Sequence, residues 1–140
     1  MSDLAFLELK KIFNSRFSTS ESTRANYARG EDTYDPILSK AVIFPETNEE
    51  VSKILSTCNK YKIPVVPFGT GTSLEGNVVG NEKGITISLE KMNKILNVNV
   101  EDFDCRVQAC VTKEQLNDYL REDGVFFPID PGANAAIGGM

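Results

Sequence analysis

The chain has 140 residues, 41% of them hydrophobic and 25% charged, with 15 basic against 20 acidic side chains and no histidine. This is the length and composition of one ordinary domain, able to bury roughly two-thirds of its unfolded surface. The net charge of −5 argues against nucleic acid and anionic membranes as partners, and no apolar run approaches the ~20 residues that span a bilayer.

Leu4, Phe6, Leu7, Ile12 and Phe13 give a helical stripe over roughly residues 3–14, started by Ser2 or Asp3. The opening MSDLAFLELKKIF has neither a signal-peptide pattern nor an arginine-rich transit pattern, so a cytoplasmic protein is expected. Residues 18–35 are polar and read as irregular. Ala41 to Phe44 reads as a short buried strand stopped by Pro45. Thr47 to Glu50 is a capping box that opens a helix to about Tyr61, with Val51, Ile54, Leu55 and Cys58 on one face. Lys62-Ile63-Pro64 turns the chain into the strand Val65–Phe68, which completes a β-α-β unit with parallel strands.

Ile85, Ile87 and Leu89 alternate with Thr86 and Ser88 and mark a further strand. Leu96, Val98 and Val100 form one face of the next. Glu101 to Asp104 reads as a hairpin connection, with turn roles for Asp102 and Asp104 rather than a catalytic carboxylate pair. Arg106 to Val111 returns as a strand. A second capping box, Thr112 to Gln115, opens a helix carrying Leu116, Tyr119 and Leu120, with Gly124 beyond its end. Val125 to Phe127 is expected to rejoin the sheet, and Asp130-Pro131-Gly132 to turn. The three cysteines, Cys58, Cys105 and Cys110, are odd in number and lack a C-x-x-C spacing, so reduced structural thiols are expected. The sum is an α+β domain, a β-α-β unit followed by a small mixed sheet.

Chemistry concentrates in two glycine-rich stretches. The first, VVPFGTGTSLEGNV, runs from a strand into a loop with Gly69, Gly71 and Gly76. Bare backbone N–H groups in a tight bend suit an anionic phosphate, and the hydroxyls of Thr70, Thr72 and Ser73 add donors. The loop lies past the carboxyl end of its strand, where such sheets bind ligands. It is not a P-loop, because Asn77 stands where that motif has lysine. Nor is it a dinucleotide fingerprint, because Leu74 takes the third glycine position. The second stretch, PIDPGANAAIGGM, places Ala135, Ala136, Ile137 and Met140 beside paired glycines, which suits a backbone lying against a flat, partly apolar ligand. The plain alternatives are a ligand-free hairpin and a flexible tail. A phosphosugar enzyme using the same nest is disfavoured, since no general base accompanies the loop.

PFGTGTSLEG, EDFDCRVQACVTKEQLNDYL and FFPIDPGANAAIGGM, in that order, resemble the N-terminal part of the FAD-binding domain of the D-lactate dehydrogenase and glycolate oxidase flavoproteins, members of the vanillyl-alcohol oxidase superfamily. The resemblance covers roughly residues 20–140 and implies the first subdomain of that fold. It implies FAD, with Gly69, Thr70, Gly71, Thr72 and Ser73 on the pyrophosphate side, and Gly76, the third glycine of the nest, is a further cofactor-binding candidate. Pro131, Gly132, Ile137, Gly138 and Gly139 are implied at the flavin end, and Tyr34-Asp35 near the cofactor.

Two departures carry expectations. Relatives that tether FAD covalently have a histidine about where Thr72 sits, so non-covalent FAD is expected here. At Ala109-Cys110 the family commonly shows a small residue and then glycine, so the thiol would narrow the approach to the cofactor. The resemblance also implies proteins of several hundred residues. The 140 residues then make a single incomplete FAD-binding domain, a helix and lead-in over 1–20 and a FAD-binding core over 40–140, with the substrate domain absent. Such a piece is expected to be inactive alone, its parent acting on a small D-2-hydroxy acid. The alternative is a ligand-free structural or self-associating piece with no catalytic role.

Overall fold

The computed structural model describes residues 2–140. Helix α1 (Ser2–Phe13) leads through a 3-10 turn into a short strand, β1 (Phe17–Ser18). The apolar residues of α1 divide between two faces. Ala5, Leu9 and Phe13 are buried at a spacing of four, while Leu4, Leu7 and Ile12 are exposed. The stripe read from the sequence therefore has the right helix but mostly the wrong face, because small Ala5 permits the close approach that Leu4 and Leu7 do not.

The polar stretch expected to be irregular contains a helix, α2 (Glu21–Asn26), whose N-cap Ser20 accepts from the N–H of Thr23 at 3.3 Å. Then come β2 (Ala41–Ile43), α3 (Asn48–Tyr61), β3 (Val65–Phe68) and β4 (Ile85–Ser88). The four strands form one sheet in the order β1-β2-β4-β3, in which β4 runs parallel to both neighbours and β1 is antiparallel to β2. The two strands of the β-α-β unit are thus parallel, with β4 between them. Pro67 is accommodated because β3 is an edge strand.

Helices α1 and α3 cover one face. Their Ala5, Leu9, Phe13, Ile54 and Cys58 pack on Ala41, Ile43, Ile85 and Ile87. Residues 20–40 and the loop after β3 cover the other face, where the Tyr27 ring stands edge-on against both Phe44 and Phe68. Buried Thr86 donates to Ser39 Oγ at 2.9 Å, Ser39 accepts from the N–H of Asn81 at 3.1 Å, and Arg24 donates to the Ser39 carbonyl at 3.3 Å while its buried Nε is left without a partner among the described residues.

The hairpin β5 (Ile95–Asn99) and β6 (Asp104–Val107) is a separate two-stranded sheet. A register shift between Ile95 and Asn97 turns the strand, so Ile95 and Val98 face inward and Leu96 faces solvent, against the simple alternation. Strand β6 ends at Val107 rather than Val111, and Asp104 opens it, accepting from Asn99 at 2.6 Å. Helix α4 (Lys113–Leu120) seats Leu116 and Leu120 against this hairpin and ends through a 3-10 turn at Gly124, where φ is 70°. Val125 to Phe127 does not rejoin a sheet. It is held instead by Asn117, which accepts from Phe127 N–H at 2.7 Å and donates to its carbonyl at 3.3 Å. All three cysteines are unpaired.

Arg16, in the turn after α1, ties the helical layer together. Its guanidinium donates to both Glu50 carboxylate oxygens, at 2.5 and 2.6 Å, and to the Phe44 carbonyl at 3.2 Å. The Glu50 side chain reaches back to the N–H of Glu46 at 2.7 Å, while Thr47 Oγ1 accepts from the Glu50 N–H at 3.2 Å. The Arg16 hydrogen bonds hold the Glu50 carboxyl down at about 2, against the opposing effect of burial. A carboxyl depressed in the folded state stabilises above its unfolded value and loses that contribution as pH falls through the folded one. Glu50→Gln is therefore expected to cost about 2 kcal/mol near neutral pH in urea unfolding. Its deficit should close between about pH 5 and pH 2, and a gap constant over that range contradicts the assignment. Thr47→Ala should cost ~1 kcal/mol without that pH dependence.

Candidate functional site

The loop leaves β3 at Phe68, whose carbonyl accepts the N–H of Leu89 at 2.9 Å. Beyond that point the chain leaves the sheet. Among the described residues, no backbone N–H from Gly69 to Ser73 donates a hydrogen bond within the chain. Five consecutive free donors are unusual in a folded segment and form the kind of nest that takes an anion. Gly71 has φ +76°, a conformation natural to glycine, and a Cβ added there would lie 2.7 Å from the Phe68 ring. The hydroxyls of Thr70 and Thr72 stand 3.4 Å apart on the same loop.

The segment 129–140 forms the opposing wall. It is fastened to α4 and to residues 109–111 by backbone bonds. Ile137 N–H donates to the Val111 carbonyl and Gly138 N–H to the Ala109 carbonyl, each at 2.8 Å, and Lys113 N–H donates to the Ala135 carbonyl at 3.2 Å. Side chains add to this. Asn134 accepts from the Glu114 N–H at 3.2 Å, supplementing the Thr112 cap, and Lys113 pairs with Asp130 at 2.8 Å. That lysine hydrogen bond lowers the Asp130 pKa.

Between the walls lies a cavity of about 320 Å³. Gly69, Thr70, Gly71, Thr72 and Ser73 line one side, and Pro131, Ala135, Ala136, Gly139 and Met140 the other, with Val78 and Ile129 closing it. The walls meet at Gly69, where an added Cβ would sit 3.3 Å from that of Ala136. No lining residue is charged, so an anion held here rests on amide and hydroxyl dipoles. A larger hollow of about 670 Å³ runs along α3 beside Leu89, Met92 and Ala109. Its polar groups are helix-surface side chains and it has no comparable row of free donors.

Seven of the residues expected from the sequence meet in the smaller cavity; four do not line it. Gly76 lies against Tyr34, Gly132 stands in an open turn, Gly138 packs on Ala109, and Ile137 packs on the cluster of Val111, Leu116 and Leu120. Val78 and Ile129 were not legible as lining residues, because isolated aliphatic residues in loops carry no motif. Cys110 does not line the cavity either. It is buried, which pushes its thiol pKa up. Beside the loop, the Tyr27 hydroxyl is raised to about 12, by burial first and by its hydrogen bond to Glu90 second.

The FAD binding domain family matches residues 39–140, the glycine loop and the opposing wall both included. The chain belongs to that family. Its cofactor is FAD. It is 42% identical over 88% of its length to a probable mitochondrial D-lactate dehydrogenase of Danio rerio, and 31% identical over 88% to the GlcD subunit of glycolate oxidase from Bacillus subtilis. It is an FAD-binding domain of D-lactate dehydrogenase and glycolate oxidase-like flavoproteins, and it spans about a quarter of these relatives, 25% and 27% of their lengths. Among solved structures, an alkyldihydroxyacetonephosphate synthase superposes with a TM-score of 0.84 at 20% identity, over 96% of this chain and 28% of that one. A p-cresol methylhydroxylase does so with 0.73 at 22%, over 86% and 24%. At those identities the likeness is one of fold, the vanillyl-alcohol-oxidase type. Among the described residues no helix is long and apolar enough to cross a membrane.

The second wall depends on close contact with Ala109. A Cβ on Gly138 would lie 2.8 Å from both the Cβ and the carbonyl oxygen of Ala109. Gly138→Val is expected to lower stability by about 1–3 kcal/mol and to speed amide exchange at Ile137 and Gly138. Unchanged exchange there would show that the wall is held elsewhere.

Proposed function

We propose that this chain is the FAD-binding portion of a flavin-dependent oxidoreductase acting on a D-2-hydroxy acid, D-lactate or glycolate. The observation that carries the reading is the row of free N–H groups from Gly69 to Ser73 in the wall of a cavity closed by small apolar residues. The relatives' names supply the substrate class. The pyrophosphate is assigned to Gly69, Thr70, Gly71, Thr72 and Ser73, with Gly76 setting the loop's return against Tyr34. The flavin end is assigned to Pro131 and Gly139, with Gly132, Ile137 and Gly138 shaping the segment that carries them.

FAD, when bound, supplies the acceptor for two electrons. This chain's residues hold the diphosphate by dipoles and shield it with Val78, Ile129 and Met140. Attachment is non-covalent in this reading, since threonine stands at 72 and the chain has no histidine. For the same reason the acid–base group that serves the hydroxy acid is assigned outside these 140 residues, and the chain alone turns nothing over. Three unpaired cysteines favour a reducing compartment, the cytoplasm in this reading, although several relatives are named mitochondrial. A second reading, self-association, rests on the exposure of Phe103 at 85% and Phe126 at 72%.

FAD is expected to co-elute with the protein in gel filtration, and protein eluting bare at saturating FAD counts against the assignment. Anaerobic addition of D-lactate or glycolate to the whole flavoprotein should bleach the flavin; no bleaching with any D-2-hydroxy acid removes the substrate class. Gly71→Val should weaken FAD binding by at least about tenfold, through the left-handed φ and the Phe68 ring beneath it. Unchanged affinity places the nest elsewhere.

A further inference from the structure

The glycine loop is backed by residues 28–34, a strap that lines no part of the cavity. The Glu31 N–H donates to the Gly71 carbonyl at 3.1 Å, and the Gly80 N–H returns to the Ala28 carbonyl at 3.2 Å, so the strap spans the loop from its start to its exit. Asp32 folds the strap on itself, one carboxylate oxygen accepting the Gly30 N–H at 3.2 Å and the other the Tyr34 N–H at 3.0 Å. Gly30 is the point of closest approach. A Cβ there would lie 2.8 Å from the Gly71 oxygen, 2.8 Å from Val78 Cγ2 and 2.9 Å from the Ser73 oxygen. Its φ lies outside the left-handed region, so space alone demands glycine at this position.

The contact has a directional consequence. Among the described residues there are no cis peptide bonds, and across a trans peptide the carbonyl and the following N–H point opposite ways. With the Gly71 and Ser73 carbonyls turned onto the strap, the N–H groups of Thr72 and Leu74 are turned away from it. We propose that Gly30 and Asp32 are positioning residues for the cofactor, a backing strap that aims the loop's donors at the diphosphate. This rests on the assignment of residues 69–73 to the pyrophosphate.

The test compares Gly30→Ala, Asp32→Ala, Asp32→Asn and Gly69→Val in the intact protein. Titration gives the FAD dissociation constant, and ³¹P resonances report the bound diphosphate. Gly30→Ala and Asp32→Ala should each weaken FAD about tenfold and shift a diphosphate resonance, with circular dichroism unchanged. Asp32→Asn, which keeps one acceptor, should recover most of the affinity. If Gly30→Ala does not fold, the Asp32 pair carries the test. Native affinity and ³¹P shifts in the strap variants, with Gly69→Val defective, overturn the strap and leave the nest standing. Native affinity in Gly69→Val as well overturns the nest and the strap with it.

Discussion

Paired on both sides with parallel neighbours, β4 is sealed along its whole length, and Ile85, Thr86, Ile87 and Ser88 are all buried. This pairing fixes where everything else can be. It places β2 and β3 two strands apart, so α3 must cross over β4, which provides the apolar ridge that α1 and α3 cover. It also determines the last ladder bond, from Leu89 to Phe68, and hence the residue at which β3 releases the chain into the glycine loop. The free donors lie at the carboxyl edge of the sheet because the strand ends there and, among the described residues, none of them finds an acceptor.

Much of this was legible in the sequence because the signals were local. Thr47 and Thr112 announced their helices through spacing alone, and both accept the N–H three residues on. The alternation at Ile85 to Ser88 marked a strand, and the glycine loop marked one wall of a cavity. What was not legible was tertiary. Nothing local shows that Ala5, rather than Leu4, faces the core, or that Arg16 finds Glu50 across 34 positions. The bulge in β5 reversed the expected face of Leu96, since one extra residue inverts the alternation. Val125 to Phe127 has strand-like composition, but Asn117 takes its backbone bonds.

The site divides the same way. Its residue types came from motifs, but its shape comes from contacts between distant segments. Gly76 is glycine for its left-handed backbone, φ +72°, and its contact with Tyr34, Gly138 for its packing on Ala109, and a motif cannot separate them from glycines that line a cavity. Apart from Tyr34, which the resemblance implied near the cofactor, the strap of residues 28–34 carries no signature, because its contacts are backbone ones with a loop some 40 positions later.

The two walls of the cavity belong to different hydrophobic units. The glycine loop hangs from the four-stranded sheet and its core of Leu9, Ile43, Ile54 and Ile85, whereas Ala135 to Gly139 are fastened to the hairpin and α4 around Val111 and Leu116. A cofactor lying across this seam touches both. Under the proposed site assignment its binding free energy is thermodynamically linked to the docking of one unit on the other, so saturating FAD would stabilise the seam. In that assignment the cofactor is mortar as well as reagent.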